Sequence, residues 1–510
     1  MCVVKSADRA QPIVGSLSSR LRPGALCILS AALLAACSTA RLTKPDVRMP
    51  AAYESATDSN AAVPPGTLDH WWRLFNDPQL TQLTEQALVS APDARIALQR
   101  IGEARATRAQ TLSAYLPQGN LQGLAQEQHT NETISGLSGN VGVSTTGSSG
   151  GLGSSTIEPS GDLQTYGGQF NVTYEIDVFQ RQRAAKRAAN ADVAAARFDY
   201  EASRAMLAKN VAIDLFQARG AAIQLDEARE TLRIAQDLAH SGEVSAAHGL
   251  TSTSDTARLE TDVGVDAAEV ARLEALLIAD RRALLALIGR GTDPIDSVPI
   301  QAVTNPPPVA PASAPGELLR RRPDVREAEE HIRSAANTLA LDKLALFPTF
   351  QILPGFQGDK TAGSYASMTT IWSIGLGASA PVLDRPRLLA VIRGQKAKGE
   401  ELVVTYEQTV QNAYRDAESG LFTVAADRQR VARLEEATAR ARYAFDAKKK
   451  GYDLGLTDLT TLLTAETTWR TTRNTLTGAQ TQGLVDAATL FQALGGGWTP
   501  PEEVRTAAAR

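Results

Sequence analysis

The sequence predicts a mainly α-helical chain that also contributes four β-strands to a membrane β-barrel, built as a tandem structural repeat. Three observations indicate this fold class. The chain repeats itself, each copy has a long proline-free stretch (181–239 and 387–450), and each copy has a pair of alternating apolar and polar segments. Strands of about ten alternating residues fit the wall of a transmembrane barrel.

Two constant offsets reveal the duplication. The motif PDAR at 92–95 recurs as PDVR at 323–326, and Leu-Pro at 116–117 recurs as Phe-Pro, both 231 residues later. Further matches at 200–201, 215–216 and 249–250 recur 206 residues later. The first copy therefore carries 25 extra residues, which we assign to the glycine- and serine-rich loop at 134–155.

The N-terminal segment has the pattern of a secretory signal. Arg20 and Arg22 precede a short apolar run at 23–36, which is too short for a stable membrane-spanning helix. The sequence LAAC at 34–37 resembles the lipobox of bacterial lipoproteins, which predicts lipid attachment at Cys37. Cleavage there would leave Cys37 as the only cysteine and exclude an internal disulfide. The alternative is an ordinary signal peptide that is cut elsewhere.

The predicted organisation has six parts. They are a lipoprotein signal peptide (1–36), a lipidated tether (37–67), a first repeat (68–293), a proline-rich linker (294–316), a second repeat (317–498) and a tail (499–510). The charge is nearly balanced, with 52 Lys and Arg against 56 Asp and Glu, so nucleic acid is not expected as a partner.

Each repeat opens with a helix whose start is marked by proline and aspartate, at 92–93 and at 323–324. Three arginines, Arg320, Arg321 and Arg322, precede the second of these helices. They can be interpreted as an anion site or as a solvated turn, and we expect the turn.

Four segments alternate between apolar and polar residues. They lie at 120–128, 169–179, 349–357 and 372–380. In the second segment, Phe170, Val172 and Tyr174 alternate with polar neighbours. This pattern fits a barrel that is apolar toward lipid and polar toward a lumen, but a water-soluble sandwich would alternate in the same way.

The long helices favour the barrel. At 1.5 Å per residue each proline-free stretch spans roughly 90 Å, three times the thickness of a bilayer's hydrocarbon core. Such charged helices must stand in water, and their apolar residues recur with the spacing of a left-handed coiled coil. Four strands cannot enclose an aqueous lumen, so several chains must share one barrel.

Four segments resemble the TolC/OprM-like outer membrane factors, and among them the NodT-type efflux lipoproteins. They are WWRLFNDPQLTQLTEQAL at 71–88, YEIDVFQRQR at 174–183, ELLRRRPDVREAEEHIRSAAN at 317–337 and LFQALGGGW at 490–498. The resemblance implies a homotrimer with a twelve-stranded outer-membrane β-barrel, four strands from each chain, continuous with a long periplasmic α-helical barrel. The loop at 134–155 would be extracellular, and the turns near 241–250 and 450–456 would form the periplasmic tip.

The resemblance also implies a function. Members of this family are passive exit ducts to which an inner-membrane pump, here of the RND type, and a periplasmic adaptor deliver drugs or other small toxic molecules. No catalytic motif, cofactor motif or metal-ligand spacing occurs in the sequence, so neither an enzyme nor a cofactor is expected. The glycines at 495–497 follow a helix without a lysine and are interpreted as a helix C-cap rather than a phosphate cradle.

Adaptor docking in the family involves a Val-Gly-Leu-like turn in each repeat. The corresponding triplets are His248, Gly249, Leu250 and Leu454, Gly455, Leu456, which keep the glycine and leucine but lack the valine. Glycine at these positions also suits a turn for purely conformational reasons, and both interpretations can hold together.

Many family members place aspartates just past the second turn, where they form acidic rings that narrow the tunnel. The equivalent positions here are uncharged, Thr461 and Thr464, whereas the first repeat has Asp255 and Arg258. We therefore expect any acidic ring to come from Asp255 or Asp458, and we expect weaker charge selectivity than the family norm. Helix capping is the alternative role for Asp255.

Two other functions remain open at this point. One is an outer-membrane channel for type I protein secretion within the same superfamily. The other is a structural coiled-coil envelope lipoprotein without a lumen, which would leave the alternation of the strand segments unexplained.

Overall fold

The computed structural model describes residues 42–54, 68–130, 161–249, 252–309, 315–362 and 366–498. Seven helices of more than ten residues lie in these ranges: α1 (Pro78–Ser90), α2 (Pro92–Ser113), α3 (Arg181–Ala247), α4 (Thr253–Leu287), α5 (Pro323–Leu344), α6 (Arg385–Asp453) and α7 (Leu459–Ala493). The four strands are β1 (Gln118–Thr130), β2 (Gly161–Ile176), β3 (Thr349–Ala362) and β4 (Ser367–Ser379). Short helical turns at Trp71–Phe75, Ile295–Ser297, Pro315–Glu317 and Leu318–Arg321 complete the described elements.

The element order repeats, which confirms the duplicated fold. A helix, two strands and two long helices follow one another as α2, β1, β2, α3 and α4, and again as α5, β3, β4, α6 and α7. The boundaries of the six predicted parts stay a prediction. The signal peptide, the loop at 134–155 and the tail lie outside the described residues.

The strands form one antiparallel sheet in the order β1-β2-β3-β4. One row of paired residues crosses all four strands and consists of Leu121, Phe170, Phe356 and Trp372, all of them exposed apolar side chains. A second row, on the opposite face, consists of Asn120, Asn171, Gly355 and Ser373. The sheet therefore has one apolar and one polar face, as the alternation predicted.

The sheet also decides between the two interpretations of the strand pattern. A soluble sandwich needs a second sheet packed on the first, whereas the strands in the described ranges all belong to one sheet. In those ranges β1 and β4 each pair on one side only, so two backbone edges stay open. The described strands of one chain therefore do not form a sandwich.

The long helices are several times longer than a bilayer is thick. α3 has 67 residues and α6 has 69, so each is about 100 Å long at 1.5 Å per residue. Among the described helices, none combines the length and the apolar character needed to cross a bilayer.

The main hydrophobic core lies where the segment before α1 covers α3 of the first repeat and α7 of the second repeat. Trp71 stacks on Phe491 of α7 with a centroid distance of 5.6 Å, and Phe75 lies 5.3 Å from Phe216 of α3. The end of α7 is held there by Gly495, whose φ of +77° ends the helix, and Gly497 donates to the Leu68 carbonyl at 3.0 Å. The predicted C-cap is confirmed.

The structure corrects the interpretation of the arginines at 320–322. Arg321 donates to Asp69 at 2.6 Å, and Arg322 is buried with its guanidinium 2.7 Å from Asp324. Only Arg320 is exposed. The segment is not a solvated turn, because ion pairs with neighbouring elements compensate for the burial of two of its charges.

The described part of the predicted tether, residues 42–54, lies against α6. Leu42 sits over Gly399, where an added Cβ would come within 2.5 Å of the Leu42 side chain. The Asp46 amide donates to Glu407 at 2.8 Å. Tyr53 is buried and stacks on Tyr414 with a centroid distance of 5.8 Å. This part of the tether is therefore docked along the helix rather than loose in solvent.

A buried ion pair joins α3 to the start of α1. Arg219 contacts both carboxylate oxygens of Asp77, the N-cap residue of α1, and also donates to Gln79 at 2.8 Å. Burial raises the pKa of Asp77, but hydrogen bonds from Arg219 and Leu80 outweigh it and hold the pKa below its usual value. Asp77 is therefore a charged acceptor for two elements at once.

We expect Arg219→Met to destabilise the protein by about 3–5 kcal/mol, because it leaves the Asp77 carboxylate buried without its cation. Arg233→Met is the matched control, since Arg233 lies on the same helix in an exposed pair with Asp237 and should cost at most about 1 kcal/mol. Denaturant unfolding of the detergent-extracted protein measures both. Equal midpoints for the two variants would contradict a structural role for the buried pair.

Candidate functional site at the helical tip

Two turns lie together at the ends of the long helices farthest from the sheet. α3 and α6 begin directly after β2 and β4, and α4 and α7 lead back toward the core. The first turn begins later than expected, because α3 stays helical through Ala247 instead of turning near residue 241. The second turn follows Asp453, within the expected range.

The two turn glycines adopt the left-handed backbone conformation that a tight turn requires. Gly249 has a φ of +71° and Gly455 a φ of +74°, and their amides donate to Ala246 and Tyr452, both at 2.9 Å. An added Cβ would meet no atom within 4 Å at either position. Glycine is therefore needed for its backbone angles and not for lack of space.

The flanking side chains of the turns point into solvent. Leu454 is 66% exposed and Leu456 is 80% exposed, whereas the ring of His248 bonds the Val244 carbonyl at 2.8 Å. Leu250 lies outside the described residues. Two exposed leucines at the end of a helical pair form an apolar tip of the kind that marks contact surfaces, and docking there stays a prediction.

The helices that leave the two turns are capped by equivalent residues. Ser252 caps α4 and accepts from the Ser254 amide at 3.1 Å, and Asp458 caps α7 and accepts from the Thr461 amide at 2.9 Å. Asp255 is exposed in the first turn of α4, so the capping role proposed for it belongs to Ser252. Side-chain and backbone hydrogen bonds from Thr461 lower the pKa of Asp458.

The other two gate candidates lie one turn further along. Arg258 is exposed and borders a small cavity of about 90 Å³ between α3, α4 and α7. The Thr464 hydroxyl donates to the Thr460 carbonyl at 2.8 Å and its side chain is exposed. The structure brings Asp255 and Arg258 to one end of α4, and Asp458, Thr461 and Thr464 to the matching end of α7.

An ion-pair network above the tip was missed by sequence reasoning. Asp266 of α4 accepts from Arg470 of α7 at 2.6 Å, and Arg473 of α7 donates to Glu230 of α3 at 2.7 Å. Arg473 also lies 4.5 Å from the ring of Trp469. These contacts tie α7 to both helices of the first repeat.

The network leaves part of its acidic surface uncompensated. Burial raises the pKa of Asp266 although Arg470 opposes the shift, and burial likewise raises the pKa of Glu466. The sequence gives no signal for this network, because the residues equivalent to Asp266 and Arg470 in the other repeat are Thr472 and Gly264. No group of described His, Cys, Asp and Glu side chains is arranged to hold a metal ion.

A carboxylate pair lies higher up between α3 and α4. Burial, and then the charge of Asp280, raise the pKa of Asp214 from 3.8 to about 6. Because the folded-state pKa lies above the unfolded value, Asp214 favours folding while it is protonated, and this contribution is lost as the pH rises through 6.

We expect Asp214→Asn to raise the unfolding temperature more at pH 7.5 than at pH 5, because the amide removes a charge that the wild type carries only at the higher pH. Asp226→Asn, on an exposed stretch of the same helix, should have the same effect at both values. Thermal unfolding of the detergent-extracted protein at the two pH values measures both. A larger gain for Asp214→Asn at pH 5 would reverse the assigned sign.

We expect Ser252→Ala to fray the start of α4, with a cost of about 1 kcal/mol, because it removes the acceptor for the Ser254 amide. Asp255→Ala should leave that amide protected. Hydrogen–deuterium exchange across residues 252–260 distinguishes the two variants. Faster exchange in Asp255→Ala than in Ser252→Ala would return the capping role to Asp255.

Comparisons with known proteins agree with this geometry. The family model of the outer membrane efflux protein matches residues 83–290 and 314–496, which is more than half of the chain. The pyoverdine export outer membrane protein OpmQ of Pseudomonas putida is 27% identical over 493 residues, covering 95% of this chain and 99% of its own length. Nodulation protein T of Rhizobium leguminosarum biovar trifolii is 25% identical over 470 residues, covering 89% of this chain and 93% of its own.

A solved structure has the same fold. The outer membrane channel CmeC of Campylobacter jejuni superposes with a TM-score of 0.73 at 17% identity, covering 92% of this chain and 98% of its own. At this identity the likeness concerns the fold alone, and it extends over both repeats. The chain therefore belongs to the outer membrane efflux protein family, and its function is efflux across the outer membrane.

Proposed function

We propose that three copies of this chain form the outer-membrane exit duct of a tripartite efflux system of the RND type. The duct passively conducts small molecules, such as drugs or other toxic compounds, that a periplasmic adaptor and an inner-membrane pump deliver. The observation that carries the proposal is one sheet with an apolar and a polar face and two open edges, continuous with helices about 100 Å long.

The open edges support an assembly of chains. β1 and β4 have unpaired sides in the described ranges, and each bare backbone group in lipid would cost several kcal/mol. Pairing β1 of one copy with β4 of the next removes every edge. Three copies give twelve strands, the number that the family resemblance implies.

The helices support the same assembly. α3 contacts both α4 and α7, and α7 contacts α6, so the helix order within a chain is α4-α3-α7-α6. The outer helices keep exposed apolar residues, among them Val265 and Ile278 on α4 and Val404 and Phe422 on α6. In a ring of copies α6 of one chain would cover α4 of the next.

The docked tether supports the lipid anchor at Cys37, which lies outside the described residues. Leu42 contacts α6 at Gly399, about 21 Å along the helix from its start at Arg385. Five residues of extended chain reach about 17 Å, so Cys37 can approach the membrane end of α6 from there. This reach supports outer-membrane lipid as the partner proposed for Cys37.

The features of the helical tip support the proposed docking of a periplasmic adaptor there. The exposed Leu454 and Leu456 and the two turn glycines are the proposed adaptor-docking surface. The gate would lie at the same end. Opening it requires α7 to move away from α3 and α4, and the pairs of Asp266 with Arg470 and of Glu230 with Arg473 oppose that movement. Asp255, Arg258 and Asp458 stay candidates for its charged rim.

The first test of the proposal is the mass of the detergent-extracted protein, corrected for bound detergent. Three chains are expected, because only an assembly closes the sheet edges. Conductance across a planar bilayer of the same preparation tests the lumen. A stable monomer without conductance would support the envelope spacer instead, and a trimer that exports a protein substrate but no small molecule would support type I secretion.

A further inference from the structure

We propose that Glu466, a buried carboxyl group on α7, makes the packing of α7 against α3 and α4 depend on pH, so that protonation keeps the tip closed and deprotonation releases it. This inference rests on the proposed duct and on the movement of α7 that opens its gate. It specifies how that gate is regulated.

Glu466 lies in the interface that opening would separate. The residue is 8% exposed and lines the cavity of about 90 Å³ between α3, α4 and α7. From α3, only the apolar residues Ile234, Ala235 and Leu238 border this cavity, and no described residue of α6 does. The carboxyl group of Glu466 is therefore enclosed by α3, by α4 and by its own helix.

Glu466 lacks the hydrogen bonds that a buried carboxylate needs. Its buried Oε1 accepts no hydrogen bond from the described residues, and its ion-pair contact with Nε of Arg470 is 3.9 Å long. Arg470 instead donates from Nη1 to Asp266 at 2.6 Å. Thr467, which also lines the cavity, donates its hydroxyl to the Leu463 carbonyl. A charged carboxylate without such partners is much more costly to bury than a neutral carboxyl group.

The charged groups around the cavity are mainly negative. Asp262 and Asp266 border it from α4, and Glu466 borders it from α7. The cations on its lining are Arg470 of α7 and Arg258 of α4, of which Arg258 is exposed. Three carboxyl groups thus share two arginines, and water screens one of these arginines.

The surroundings make Glu466 easier to protonate than a glutamate in water. Burial raises the pKa of Glu466 above its ordinary value of 4.5, and the charges of Asp266 and Asp262 raise it further. The charges of Arg470 and Arg473 lower this pKa but do not cancel the rise. Burial raises the pKa of Asp266 as well.

Opening of the tip changes the affinity of Glu466 for a proton. When α7 leaves α3 and α4, the carboxyl group enters water and its pKa returns toward the ordinary value. The closed tip therefore binds the proton more tightly than the open tip, and protonation favours closure. This contribution to closure is complete below about pH 4.5 and is lost as the pH rises through the higher pKa of the closed state.

The first repeat provides a matched control. The residue equivalent to Glu466 is Glu260 of α4, 206 positions earlier, and it is exposed. Both repeats have a glutamate at this position, but α7 lies inside the layer of helices whereas α4 lies at its margin. The place of the helix in the layer, rather than the residue type, therefore gives Glu466 its buried environment.

Single-channel recording in a planar bilayer at pH 5 and pH 8 tests the inference. The open probability of the wild type should rise by at least roughly threefold between these values, because the difference in proton binding is repeated in each chain of the assembly. Glu466→Gln, which imitates the protonated group, should lose most of this rise and leave only the contribution of Asp266. Glu466→Asp, which keeps a carboxyl group, should retain a rise, and Glu260→Gln should behave like the wild type.

Thermal unfolding of the detergent-extracted protein measures the titration without the gate. Glu466→Gln should raise the unfolding temperature more at pH 8 than at pH 5, because the wild type buries the charge only at the higher pH. Glu260→Gln should have the same effect at both values. The mass of each variant in detergent shows whether the assembly is intact.

The outcomes separate this inference from the proposed function. A wild-type open probability that is equal at pH 5 and pH 8, a full rise in Glu466→Gln, or an equal thermal gain at both pH values would overturn the role of Glu466 while leaving the duct intact. An intact trimer with no conductance at either pH would count against the duct itself.

Discussion

The packing of α3 against α7 is the interaction on which the rest of the structure depends, because these helices belong to different repeats. Close approach requires a small residue, and at Gly220 an added Cβ would overlap the Thr481 side chain. Trp71 and Phe75 then cover the junction from the side and bury aromatic surface from both helices. The junction turns two coiled-coil pairs into one layer of four helices.

The same junction determines which surfaces stay open. With α3 and α7 in the middle of the layer, α4 and α6 lie at its margins, as β1 and β4 lie at the margins of the sheet. A single chain therefore leaves two strand edges unpaired in the sheet and two helix faces uncovered in the helical layer. Unpaired backbone groups in lipid and exposed apolar side chains in water are both unfavourable. An adjacent copy of the chain would cover the strand edges and the helix faces at the same time.

The two repeats carry different side chains at the tip. Ser252 and Asp458 keep one capping role with different side chains, while charged positions of α4 are threonine on α7. The first repeat supplies Asp266 and Glu230 to the ion-pair network, and the second supplies Arg470 and Arg473. Duplication thus provided two equal scaffolds, and substitution gave one of them the carboxylates and the other the arginines of this network.

The sequence by itself determined the repeat, the helices and the faces of the strands, because periodicity is a local property that each segment carries alone. It also located the turn glycines and the C-cap at 495–497, which follow from local backbone angles. Only the tertiary structure decided the partners of Arg322, Asp266 and Arg219, since these pairs join residues far apart in the chain or buried by another element. The docked tether was invisible for the same reason: its contacts with α6 are made by irregular backbone without a period, and depend on where Gly399 and Tyr414 lie in space.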